Sequence, residues 1–154
     1  MKNFLAVLLV AVSLNGFAQQ KQLEWHTDVS KAIKISMDNE KPLFFFFTGS
    51  DWCGWCIKLQ KEVFFKPEFE KWAQDNLTLV ELDFPKRKKL DASLQKQNDE
   101  LRNMFAVRGY PTGWIVIPEV LDKKINFKKL GKLGYVKGGP SAWIKVVEDI
   151  LKKK

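Results

Sequence analysis

Soft metal ligands are scarce in this chain: two cysteines and one histidine among 154 residues. Structural zinc wants four such ligands. Cys53, Cys56 and His26 are all the chain has, so no metal is expected, and a copper site on the cysteine pair is the weaker rival. Long hydrophobic runs are missing too. The longest candidate, Phe4 to Leu14, falls short of the roughly 20 apolar residues that cross a bilayer, so stable membrane insertion is not expected. Internal repeats, low-complexity tracts and a second domain are all absent. A hydrophobic content of 45% against 29% charged residues excludes wholesale disorder.

Residues 1–18 read as an export leader. Lys2 supplies the positive start, Phe4 to Leu14 the apolar stretch, and Gly16-Phe17-Ala18 a small-x-small cleavage site. Cleavage after Ala18 leaves a single domain over 19–154. No cysteine stands at that site, so a lipid anchor is not indicated. The closing Leu151-Lys152-Lys153-Lys154 is no endoplasmic-reticulum retention signal. The protein is therefore expected in the periplasm if bacterial, and secreted otherwise.

The formal charge is +8, from 26 basic and 18 acidic residues. Losing Lys2 with the leader leaves 25 basic residues, or +7. The bases are spread through Lys86-Arg87-Lys88-Lys89, Lys123-Lys124, Lys128-Lys129 and Lys152-Lys153-Lys154. Such runs are ordinarily solvated faces, and an exported protein has little call to bind nucleic acid. Basicity still suits acidic partner surfaces.

What the chain does have is concentrated at Thr48-Gly49-Ser50-Asp51-Trp52-Cys53-Gly54-Trp55-Cys56. Both cysteines lie here, spaced C-x-x-C, behind the unbroken apolar run Leu43-Phe44-Phe45-Phe46-Phe47. That run, bounded by Pro42 and Gly49, predicts a strand buried on both faces. Cys56, Leu59 and Val63 then recur at helical spacing, which puts the pair where a strand gives way to a helix. Unpaired N–H groups and the positive dipole end there favour a thiolate. A disulfide across a two-residue gap removes little chain entropy, so it stabilises weakly and suits a bond made to be broken.

Around this turn the periodicity predicts a helix over about Asp28 to Asn39, preceded by Leu23, Trp25 and His26. His26 reads as a surface or capping residue. The cysteine helix ends or kinks near Phe65-Lys66, because Pro67 disfavours helical geometry before it. Pro67 starts a further helix with Phe69 and Trp72 facing inward and Asp75-Asn76 closing it. Leu77 to Asp83 reads as a central strand, and Pro85 to Met104 as a basic loop and an exposed helix. Trp114 to Ile117 is a strand. Ile125 to Lys128 and Lys132 to Tyr135 are weaker candidates around Gly131, and a last helix runs from Pro140-Ser141. The order is that of an α/β sandwich.

Two segments together resemble the thioredoxin superfamily: Phe47 to Cys56, similar to its strand-to-helix redox turn, and Phe105-Ala106-Val107-Arg108-Gly109-Tyr110-Pro111-Thr112, similar to its cis-proline segment. Element order extends the likeness over about Leu23 to Leu151. The resemblance implies a three-layer sandwich, with a central mixed β-sheet flanked by helices. It also implies an exposed attacking thiol at Cys53, a partly buried resolving thiol at Cys56 and a cis Pro111. Trp52 would shield the sulfur, and Gly54, Trp55, Tyr110 and Pro111 would meet substrate.

The strand before the turn departs from the family, carrying phenylalanines where thioredoxins place a buried aspartate. Gly54-Trp55 also replaces the usual Gly-Pro. A proton-transfer group must then come from elsewhere. Glu81 and Asp83 are the candidates, with Glu81 preferred; Asp51 is nearer in sequence but expected to be exposed. The function expected is thiol–disulfide exchange through a redox-active Cys53–Cys56 disulfide, with no other cofactor. The substrates would be protein disulfides or dithiols, served by an unidentified electron donor or acceptor. A reductant or isomerase is favoured over a strong oxidant, and a monomer is expected. The alternative is a non-catalytic binding module whose disulfide is permanent.

Overall fold

The computed structural model describes residues 23–153; the leader and its cleavage site fall outside them. In chain order the elements are β1 (Trp25–His26), α1 (Val29–Asp38), β2 (Leu43–Thr48) and α2 (Gly54–Leu59), which runs on as a π-helical turn over Gln60–Phe64. Then come α3 (Pro67–Asn76), β3 (Thr78–Asp83), α4 (Ala92–Met104), β4 (Thr112–Leu121), β5 (Lys124–Leu133) and α5 (Gly139–Leu151). The sheet order is β1-β3-β2-β4-β5. β1, β3 and β2 are mutually parallel, while β4 and β5 run antiparallel.

β2 sits in the middle because its side chains can satisfy two cores at once. Successive residues of a strand point to opposite faces. Phe44 and Phe46 join Cys56, Val63, Phe64, Phe69 and Trp143 under α2, α3 and α5. Phe45 and Phe47 join Val29, Ala32, Leu101 and Phe105 under α1 and α4. Each of the four rings is at most 1% exposed, and a fully buried phenylalanine contributes roughly 1.5–3 kcal/mol. The result is three layers, α2/α3/α5 over the sheet over α1/α4.

Several sequence expectations need correction. His26 is neither on the surface nor a cap. It lies in β1 and is buried, with Nδ1 3.2 Å from Glu24 Oε1. Its register partner is Val80, on the α1/α4 face, so it is on the opposite side of the sheet from the cysteines. The helix expected to be exposed, α4, buries Asn98 and Leu101. The two weak strand candidates are one ten-residue strand, β5. Its register slips between Ile115 and Val116 of β4, so the alternation breaks at Leu130-Gly131. Leu130 belongs to the α5-side core, and a Cβ on Gly131 would stand 3.0 Å from Ile150. Both positions therefore face α5, which is what a bulge does. The β4–β5 turn is Asp122-Lys123, both at positive φ, and it also lengthens β4 beyond the expected Trp114 to Ile117.

Candidate active site

The redox turn is built residue by residue from its sequence. Thr48 closes β2, and its carbonyl accepts from the Phe84 amide at 2.9 Å, extending the sheet past β3. The Gly49 carbonyl accepts from both Trp52 N (3.2 Å) and Cys53 N (2.8 Å), folding the chain back. A Cβ on Gly49 would meet the Trp52 indole at 2.5 Å, so only glycine lets that ring lie across the turn. Ser50 donates its amide and its hydroxyl to the Asp83 carboxylate, at 2.8 and 2.6 Å. Asp51 accepts from the amides of Lys86, Arg87 and Lys88 at 2.9, 2.7 and 3.2 Å. Those amide bonds, the Lys86 one foremost, hold the Asp51 carboxyl below its ordinary value.

Cys53 is the N-cap of α2, and its Sγ accepts from Cys56 N at 3.2 Å. The two sulfurs are bonded at 2.02 Å. Sequence reasoning expected an exposed Cys53 and a partly buried Cys56; in the disulfide form they are 6% and 0% exposed. The helix start turns the pair in toward the α2/α3/α5 core, so both side chains are buried in this form and Cys53 is not the exposed residue expected. Beyond α2 the ladder widens: Phe65 N donates to Gln60 O, five residues back, at 2.9 Å. Single π turns of this kind recur at functional sites.

The Tyr110–Pro111 peptide is cis. The Tyr110 ring stands edge-on to Trp52 at 5.7 Å, which ties the proline loop to the redox turn. Trp52 donates from Nε1 to the Phe84 carbonyl at 2.8 Å. On the other flank Trp55 is 58% exposed and lies 5.3 Å from the Tyr135 ring. Lys58 Nζ sits about 5 Å from both ring centroids. Tyr135 donates its hydroxyl to Glu62, which fastens the loop before α5 to the π turn. Gly54, between the cysteines, is open to solvent.

Beneath the pair, strand register decides which acids can matter. Glu81 pairs with Phe46, and Asp83 with Thr48. Alternation puts all four on the cysteine face. Asp83 is already committed to Ser50 and to Lys88 Nζ at 2.9 Å. Glu81 is half-buried; desolvation first, then the Asp83 charge, push its carboxyl above the ordinary value of 4.5. Asp51 is half-buried rather than exposed, and turned to the 86–88 amides. Thr48 Oγ1 is buried without a hydrogen-bond partner among the described residues. Sequence reasoning missed Thr48, Tyr135 and the Asp51 clamp. The S-D pair ahead of the tryptophan was the one signal pointing to the clamp.

A disulfide capping a helix after a buried strand, with a cis-proline leading into the neighbouring strand, defines a thiol–disulfide oxidoreductase on a three-layer α/β fold. Comparison with known proteins agrees. The model of the thioredoxin-like domain family matches residues 29–119, and this chain belongs to that family. The disulfide bond reductase DsbH of Chlamydia pneumoniae is 34% identical over 130 residues, 84% of this chain and 74% of that protein. A solved DsbH oxidoreductase structure is 29% identical, with a TM-score of 0.76 over 100% of this chain and 96% of its own. A Thermus thermophilus thioredoxin shares the fold at 15% identity and a TM-score of 0.62, over 86% of this chain and 89% of its own. The chain is thus a thioredoxin-like thiol–disulfide oxidoreductase. Among the described residues no helix is long and apolar enough to cross a membrane.

Proposed function

We propose that this chain is an exported reductant of protein disulfides, with Cys53 as the attacking sulfur and Cys56 as the resolving one. One observation carries the assignment: Cys53 caps α2 and retains 6% of its surface, whereas Cys56 has none. The reductive direction is supported by the name of the 34% identical relative, a disulfide bond reductase. Export rests on the leader reading of residues 1–18.

In the reduced protein the Cys53 thiolate attacks one sulfur of a substrate disulfide. A Cys53–substrate bond forms, the substrate S–S bond breaks, and the departing thiolate takes a proton. Cys56 then gives up its proton and attacks Cys53 Sγ. The intramolecular disulfide closes and the second substrate thiolate leaves. The substrate gains two electrons and the protein loses two, ending in the bonded state of this structure. A partner dithiol reverses the last bond to restore the reduced form. Glu81 takes the Cys56 proton; its raised carboxyl pKa and its place on the cysteine face support that role. Trp52, Gly54 and Trp55 of the redox turn, with Tyr110 and Pro111 of the proline loop that Trp52 touches, receive the substrate chain.

Trapping tests the two sulfurs separately. Cys56→Ser should accumulate mixed disulfides with substrate proteins on non-reducing gels, and Cys53→Ser should accumulate none. Equal trapping by both variants would refute the division of roles.

A further inference from the structure

The redox chemistry makes no use of Lys86-Arg87-Lys88-Lys89, yet this loop is held more firmly than a solvated face requires. Asp51 spends its whole carboxylate on three consecutive loop amides. Lys88 is fixed to Asp83 at 2.9 Å. The Phe84 carbonyl, at the loop's start, accepts from Trp52. Lys86 Nζ lies 3.9 Å from the centre of the Trp52 ring, one residue from Cys53. Lys86, Arg87 and Lys89 are exposed, and among the described residues none forms an ion pair within 4 Å, although the Arg87 charge acts on Asp51. Behind the loop lies a recess of about 370 Å³ bordered by Lys86, Lys88, Lys89 and Arg102. Its acids are already taken: Asp83 by Ser50 and Lys88, Asp99 by Arg102 at 2.9 Å.

Two carboxylates therefore hold the backbone of residues 86–88 and the Lys88 ammonium in place, so that the basic side chains of 86–89 are presented from a fixed loop next to the redox turn. Holding them in advance removes the ordering cost that a mobile basic loop would incur on binding. We propose that this pinned loop is a docking surface for acidic polypeptide, and that it selects disulfide partners with carboxylates close to the reacting cysteine. The proposal rests on the exchange reading above and names its substrate class. Polypeptide is favoured over single-stranded nucleic acid because the partner must itself carry the disulfide that Cys53 attacks.

The test uses two disulfide peptides identical except for Glu or Lys beside the cysteines. The reduced protein should cleave the Glu peptide on the order of tenfold faster, the combined effect of three exposed charge pairs. Lys86→Gln/Arg87→Gln/Lys89→Gln should bring the two rates within about twofold. The Arg87→Gln/Lys89→Gln variant, which leaves the Trp52 contact intact, should remove more than half of the preference. Turnover of neutral hydroxyethyl disulfide should not change in either variant. A second arm uses the oxidised wild-type protein and labelled cysteine-free peptides, read by fluorescence anisotropy, where the same charge preference should appear. Peptide selectivity below about twofold in both arms, or selectivity that survives the triple variant, overturns the proposal. So does displacement of the acidic peptide by an oligothymidylate of equal charge more readily than by unlabelled acidic peptide. Failure to turn over hydroxyethyl disulfide would count against the exchange reading alone, because the anisotropy arm needs no thiol.

Discussion

Gly49→Ala isolates the contact on which the redox turn depends. The new Cβ would lie 2.5 Å from Trp52 Cε2 and Nε1, about an ångström inside ordinary packing distance. Gly49 is not at positive φ, so the alanine meets no backbone strain and gains roughly 0.4–1 kcal/mol from a stiffer unfolded chain. Against that, overpacking costs about 1–3 kcal/mol. Displacing the indole also breaks its 2.8 Å bond to the Phe84 carbonyl, about 1 kcal/mol more. The expected net loss is about 2 kcal/mol, read by urea unfolding with tryptophan fluorescence. The lost stability should be accompanied by slower reaction of Cys53 with peptide disulfides, because the Trp52 ring also packs on Tyr110 of the cis-proline loop. A double-mutant cycle sharpens the test: in a Trp52→Ala background the same alanine should be neutral or slightly stabilising. Wild-type stability and exchange rate in Gly49→Ala, or an undiminished penalty without the indole, would refute the reasoning.

Other outcomes follow from the same geometry. Trp143 is fully buried, with ring contacts at 5.3, 5.3 and 5.4 Å to Phe44, Phe64 and Phe69. Trp143→Ala should cost about 3–5 kcal/mol in denaturant unfolding, and a loss below 1 kcal/mol would contradict the core assignment. Glu81 makes a pH prediction. A carboxyl raised in the folded state favours its protonated form, so its ionisation withdraws stability as pH climbs from 4.5 through the raised value. Glu81→Gln should therefore be more stable than wild type near neutral pH but not in acid, as measured by thermal unfolding across the range. The same variant should slow release of the mixed disulfide by about a hundredfold and flatten its pH profile. An unchanged profile would exclude Glu81 from proton transfer.

Local patterns wrote most of the fold into the chain. An aromatic run between Pro42 and Gly49 could only be a strand covered on both faces, and β2 is that strand. Pro67 opens α3 at its first position, where the missing N–H does no harm. Asp28, placed at the start of the first helix, caps α1 by accepting from Lys31 N. β1 was not legible because two residues are too few for any period. β5 was misread as two strands because the bulge at Leu130-Gly131 breaks the alternation on which the reading relies.

By itself the sequence determined the chemistry: a C-x-x-C pair at a helix start and a second segment ending in Tyr110-Pro111. Spacing and composition suffice there, because one turn of chain supplies both sulfurs. Tertiary structure decided what long-range register controls. It placed Glu81 on the face of the sheet that the cysteines pack against, put His26 on the opposite face, and set the Asp51 carboxylate against loop amides 35 to 37 residues away. Those pairings depend on how β3 lies against β2, and no local pattern encodes the distance between two strands.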